Sequence, residues 1–320
     1  MVVNTWDGAA NTNWDDAGNW NSTGVTDRIP TASDVVIIPD TSSINNPTLR
    51  QNQPCASFDM QANATVVGAG FKITVHEEDS NVAVDNDAII SGVLDLEIQT
   101  AGATTLDLMG TSGNFRNLTI NHASCDAFLI ANTTIDGNLT ITAGELTCAT
   151  DGGSARTLTV AGTTQVTGTL TATSQDLLLG SGLTSGWGLD IQSGGTFVGG
   201  SGVHTIGSIF SAAGGTRTIT LSSGTTTINS KNTSNGYTIN LASGTTFNHG
   251  SGTVIMTYAG DTLNQLSSGT LAFNTFTYNA SGRTLELRSP MSCAGNLTLT
   301  AGTLDTKSGT NHALTVTGHV

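Results

Sequence analysis

The decapeptide GNLTITAGEL at Gly137 to Leu146 returns as GNLTLTAGTL at Gly295 to Leu304, with eight of the ten positions identical. The same offset of 158 residues aligns Phe115 with Phe273, Thr119 with Thr277, Asn121 with Asn279 and Leu129 with Leu287. After a two-residue gap, LTVAG at Leu158 to Gly162 matches LTVTG at Leu314 to Gly318. An internal repeat constrains architecture more tightly than any other signal here, because each copy must bury its apolar side against a neighbouring copy.

Each copy reads as a short strand, a small-residue turn and another short strand. Leu139 and Ile141 lie two apart with Thr between them, a period that sends apolar side chains to one face of a strand and Thr to the other. Similar pairs recur at Leu118/Ile120, Leu158/Val160, Leu177/Leu179, Tyr237/Ile239, Phe276/Tyr278, Leu297/Leu299 and Leu314/Val316. Their spacing is about twenty residues, with Gly, Ser, Asn or Asp at the breaks and no helical period. This pattern predicts a right-handed parallel β-helix. A sandwich or barrel would carry hairpin signals and a less regular coil length. The expected organisation is a Trp-rich capping or attachment segment over residues 1–54, followed over 55–320 by about a dozen coils at roughly 4.8 Å each.

A solenoid grows along one dimension, so 320 residues do not force two domains. Apolar residues make up 37% of the chain and charged residues only 11%, and ladders of Thr and Asn can cover a β-helix without charge. Ten Lys and Arg against 24 Asp and Glu give a net charge of −14. Phosphate recognition draws its affinity from Lys and Arg, so nucleic acid is not an expected partner. No apolar run approaches the roughly 20 residues of a membrane helix, and the opening Met-Val-Val-Asn-Thr-Trp has neither the basic start nor the apolar stretch of a secretory signal.

Trp6, Trp14 and Trp20, three of the four tryptophans, crowd into TWDGAANTNWDDAGNW. The first coil of a solenoid has an open end, and aromatic side chains cover the most area per residue, so a capping role is expected of them. The rival role is a platform that stacks on sugars. Asp7, Asn11, Asn13, Asp15, Asp16 and Asn19 in the same segment suit turns and caps; a calcium loop is the alternative, but Asp16 and Ser22 stand where an EF-hand needs Gly and Glu.

The pattern W-x-G…W…NW…P…D-x-V-x-I-P, here Trp6, Gly8, Trp14, Asn19-Trp20, Pro30, Asp34, Val36 and Ile38-Pro39, resembles the opening module of large β-helical surface proteins of bacteria and of marine phage virion proteins. The repeats at Phe115 to Gly162 and Phe273 to Gly318 are similar to those that follow it in such proteins. The resemblance implies architecture rather than chemistry, since one scaffold serves fibres, spikes, adhesins and glycan-cleaving enzymes.

Few residues invite a chemical role. His76-Glu77-Glu78-Asp79 with Asp85 and Asp87, and beyond them Asp95 and Glu97, form the only dense acidic supply, with Lys72 the one nearby base. A solvated loop is the plain reading; a glycosidase pair or a calcium-dependent lyase is the functional one. Trp187 and His204 lie between Gly-rich turns without a recognisable catalytic neighbour, and Trp187 is read as a surface or subunit contact, a buried residue or a sugar platform. Cys55, Cys125, Cys148 and Cys293 are scattered without a CxxC or Cys/His cluster, and are expected as small buried hydrophobes ahead of disulfides or metal ligands. Asn-x-Ser/Thr triplets at Asn117, Asn132, Asn138 and Asn296 arise by chance in such a composition.

The expected function is structural: a virion fibre, spike or decoration subunit without catalytic residues, cofactor or metal. Its expected partners are copies of itself, a trimer being favoured, other virion proteins, and host-surface polysaccharide. The glycan or subunit contacts fall to Trp6, Trp14, Trp20 and Trp187, and the expected location is the virion. A glycan-degrading tailspike and a fragment of a secreted bacterial adhesin, on a cell surface, are the alternatives. The chain closes inside a repeat, which reads either as a piece of a longer protein or as an end covered by another subunit.

Overall fold

The computed structural model describes residues 1–76, 82–148, 156–260, 263–267, 271–307 and 309–320. Among them there is no α-helix, only a 3-10 turn at Ala17–Asn19, and no helix is long and apolar enough to cross a membrane. The chain is a β-solenoid of about 11 turns with parallel strands. It divides into two compact units, residues 1–147 and 148–320.

The first unit carries two long ladders. Val2–Trp6 pairs in parallel with Asp34–Ile38, which continues through Ser57–Met60, Val82–Asn86, Gly102–Leu106 and the second half of Leu118–Leu129. Gln53–Cys55, Phe71–Val75, Leu94–Ile98 and the first half of Leu118–Leu129 form the other. A third, shorter contact line runs through Thr48, Thr65–Val67, Ile89–Ser91 and Ser112. Each coil therefore has three strand segments separated by corners.

Register converts the period of two into packing. Ile73 lies beside Leu96 and Leu96 beside Leu118, while Val75, Ile98 and Ile120 form the next column, all buried. In the second unit Leu158, Leu177, His204, Thr226, Val254 and Phe276 occupy one inward column, and Val160, Leu179, Ile206, Ile228, Met256 and Tyr278 the adjacent one. Fully burying a Leu, Ile or Val contributes roughly 1.5–3 kcal/mol, so these columns are the core. Strands Leu271–Phe273, Met291–Cys293 and Leu314–Val316 form a separate small parallel sheet.

The coil length is less regular than the expected twenty residues. Thr157 pairs with Asp176, 19 residues on, whereas Ile209 pairs with Ile239, 30 on. Most strands span three to five residues, held in register by the core; corners face solvent and absorb the difference. The long corner after Ile228 folds back: Asn229 Nδ2 donates to Ser181 Oγ at 2.7 Å, and Ser230 and Thr233 hydroxyls donate to the carbonyls of Leu183 and Thr184.

Two corner glycines separate two kinds of constraint. Gly200 has φ +59°, and a Cβ there would stand 1.5 Å from the Thr173 carbonyl oxygen; Gly182 has φ +75° and open space. Gly182→Ala carries only the left-handed backbone cost of about 1–2 kcal/mol, whereas Gly200→Ala must also displace backbone and is expected to cost about 3 kcal/mol or more. Chemical denaturation of the two variants checks the order; equal losses would show that the Thr173 corner yields freely.

Candidate functional site

The N-terminal tryptophans form one cluster. Trp6 and Trp20 meet edge to face at 5.0 Å between centroids, Trp14 and Trp20 at 4.8 Å, and Trp14 leans on Phe58 at 6.1 Å. Strand Trp20–Ser22 pairs antiparallel with Val2–Trp6, so the first rung's outer edge is covered by its own chain. Trp6 Nε1 donates to the Asn45 carbonyl at 2.6 Å and Trp20 Nε1 to the Trp14 carbonyl at 2.8 Å. All three rings are 0% exposed. The cluster is consistent with the expected cap, but the glycan or subunit contact expected of the same rings needs an open face, and burial leaves none.

The polar residues of this segment serve the loop itself. Asn19 accepts the N–H groups of Ala10 and Asn11 at 2.9 and 2.8 Å and donates to the Asn13 carbonyl at 2.8 Å. Asp16 accepts from Gly18 N–H at 3.0 Å and from Asn11 Nδ2 at 2.6 Å, bonds that hold its carboxyl below the usual range. Asp34 is 1% exposed. Burial alone would raise its pKa, yet bonds from the Thr31 hydroxyl and N–H, both at 2.8 Å, and from Arg28 Nη2 at 2.6 Å hold it low.

The acidic candidates are distributed over two different ladders. Glu77 and Glu78 lie outside the described residues. Asp95 is gripped by Arg116, Nε to Oδ1 at 2.8 Å, and by Asn117 Nδ2 at 3.0 Å. Glu97 pairs with Lys72 and accepts from Asn121 Nδ2 at 2.8 Å and Gln99 Nε2 at 2.6 Å; burial works to raise its pKa, and these partners bring it below the usual value. Lys72, the one candidate base, is thus an ion-pair partner.

Asp85 stands directly opposite Asp59 on the neighbouring strand, a partner that sequence reading missed because it lies a coil away. Burial first, then the negative charges of Asp87 and Asp107, push the Asp85 carboxyl up; Asp59 is raised by burial, then by Asp85 and Asp87. Like charges opposite each other on a sheet are destabilising. A raised carboxylate favours the folded state while protonated, so this contribution is lost as pH climbs above the ordinary value of 3.8. Asp85→Asn is expected to raise the denaturation midpoint at pH 7 and leave it unchanged near pH 3; an equal gain at both would mean the effect is not electrostatic.

Trp187 is 8% exposed and stacked on Phe210, centroids 4.9 Å apart and planes 16° from parallel. Of its three sequence readings the buried one fits; neither a sugar nor a partner can reach the covered face. The four cysteines are buried, as expected of small hydrophobes, and burial pushes the Cys148 thiol up to about 12 and Cys293 to about 11.

His204 is the group for which sequence gave least warning of burial. It is 0% exposed in the inward column between Leu177 and Thr226, 6.2 Å from Phe197, and neither ring nitrogen has a hydrogen-bond partner of ordinary geometry. Burial lowers its pKa from 6.5 to about 4, against a weaker opposing pull from the Gln175 backbone and Asp176. The neutral ring's contribution is therefore complete above pH 6.5 and drains as pH falls towards 4, by about 3 kcal/mol. His204→Leu, apolar like the column around it, is expected to abolish acid sensitivity in that window while folding normally at pH 7. A denaturation series from pH 7 to 4 checks this, and an unchanged pH profile in the variant refutes it.

Among the described residues, no group of three or more His, Cys, Asp or Glu is placed to hold a metal ion. Fold and side-chain chemistry together define a parallel β-solenoid whose polar groups serve its own rungs and corners. No protein-family model, no curated protein and no solved structure matches the chain.

Proposed function

We propose that the chain is a structural subunit of a virion appendage, a fibre, spike or decoration protein, that assembles with copies of itself, as a trimer in the favoured form, and with other virion proteins. Contact with host-surface polysaccharide belongs to this reading as a property of its polar faces, not of its tryptophans. The β-solenoid supports a stiff scaffold, and the sequence resemblance supports the virion setting.

The observation that carries the assembly reading is a pair of equivalent positions. Ile141 in the first repeat copy is 0% exposed, whereas Leu299, its counterpart in the second, is 43% exposed. Leu297–Asp305 is paired along one side with Thr275–Leu287, and Leu297, Leu299 and His319 line a shallow depression of about 440 Å³. An apolar strand edge of this kind accepts a further rung, from the same chain or from another copy, and in the assembly reading it is another copy. Neighbouring coils contribute passive strength by satisfying backbone hydrogen bonds and burying apolar columns, which needs no catalytic group.

Light scattering on the purified chain tests the reading, with cryo-electron microscopy of the native source to locate it. The expected result is a closed oligomer that Leu299→Lys converts to monomer without loss of strand content. A chain monomeric at all concentrations that releases reducing sugar ends from a host polysaccharide would overturn it in favour of the glycan-cleaving alternative.

A further inference from the structure

One face of the second unit is a two-dimensional array of threonine. In strands Thr169–Thr171, Thr196–Val198, Arg217–Thr220 and Thr245–Asn248, register places Thr169, Thr196, Thr218 and Thr246 in one column. Thr171, Val198, Thr220 and Asn248 form a second column beside it. Leu170, Phe197 and Ile219, between the columns in sequence, are fully buried, so both columns face outward. Neighbours within a column are about 4.8 Å apart and the columns about 6.7 Å apart. Six of the eight positions are Thr and none is charged. Arg217, next in sequence to the array, is turned inward at 2% exposure, with its guanidinium on the Gly214 and Ser243 carbonyls. Within the array, Asn248 Nδ2 donates to Thr220 Oγ1 at 3.3 Å.

We infer that this face binds the surface of an ice crystal. A partner that matches a repeat along two axes must itself be periodic along two axes, and ice planes present oxygen atoms with repeats close to these. Threonine suits the task at each point: its methyl group orders neighbouring water without bonding it, and its hydroxyl replaces one water in a hydrogen-bonded layer. Charged side chains would hold hydration shells of their own, and the face has none. A flat polysaccharide is the rival periodic partner, but with all four tryptophans buried it would have only hydrogen bonds to the Thr columns, a weaker hold on sugar rings. The adjacent ladder carries Thr on three successive rungs, at Thr225/Thr227, Thr253 and Thr275/Thr277, with Asp176 and Leu178 two rungs earlier; the site is assigned to the first face because its array spans four rungs. Many weak contacts made at once give a bound state that no single hydroxyl could sustain.

The test is partition of the full chain into slowly growing ice, together with thermal hysteresis and crystal shape in a nanolitre osmometer. The wild-type chain is expected to enrich in the ice fraction and to facet crystals. Thr196→Lys/Thr218→Lys is expected to lose both effects, with Thr218→Lys alone used if the double variant fails to fold. Asn240→Lys, on an outward position of Tyr237–Leu241, is expected to keep both. Exclusion of the wild-type chain from ice, or retention by a folded Thr218→Lys variant equal to wild type, would overturn the assignment.

Discussion

The constraint from which the rest follows is the register of the parallel backbone ladder. Once Leu96 is hydrogen-bonded into place beside Ile73 and Leu118, every side chain on those strands sits beside its counterpart one coil away. Inward, this suits an aliphatic core, because Leu beside Ile beside Leu leaves no void and no unpaired polar atom. Outward, it means that any charge repeated at one position would face its own kind at about 4.8 Å. A chain with 11% charged residues and long Thr columns satisfies that condition. Opposite signs meet across rungs at Lys72 with Glu97 and at Asp95 with Arg116, while Glu286 stands opposite Asp305. Asp59 likewise stands opposite Asp85, and both carboxyls are raised there.

Corners obey a different rule. They contribute little to the apolar columns, so their length is free between limits set by backbone closure, and the pairing offset varies from 19 to 32 residues, with register shifts at Thr105/Leu106, Tyr237/Ile239 and Tyr278/Asn279. Their polar groups still need partners. The long corner after Ile228 finds them on Ser181, Leu183 and Thr184, which lie two coils earlier in the chain. The N-terminal segment solves the same problem locally, with Asn19 acting as the hub of its own loop and Trp20 closing over Trp6 and Trp14.

Strand identity and inward columns were legible because they rest on a period of two and on a repeat, both of which survive in one dimension. Leu139/Ile141 and Leu158/Val160 announced themselves, and they are buried as that period requires. What sequence could not convey was anything decided between coils. Nothing in the neighbourhood of Asp85 points to Asp59, and nothing around His204 says that its ring is inward, since the residues beside it are Val203 and Thr205 and its companions Leu177 and Thr226 lie 27 and 22 residues away. Ile141 and Leu299 stand at matching positions of nearly identical decapeptides, yet differ wholly in exposure. Burial there is a property of the neighbouring rung, which the decapeptide does not encode.

The same register bears on what kind of function such a chain can carry. Catalysis needs unlike groups brought to one point: an acid beside a base, a nucleophile beside a proton acceptor. A uniform ladder does the opposite, because it multiplies like groups along a line. Unlike groups have to come from corners or insertions, and the corner at residues 229–236 directs side chains onto a corner two coils earlier instead of into a cleft. What the ladder does produce without further device is a repeated surface: one side chain presented again and again at a fixed interval. Partners suited to that surface are themselves repeated, as further copies of the chain or a crystalline solid would be.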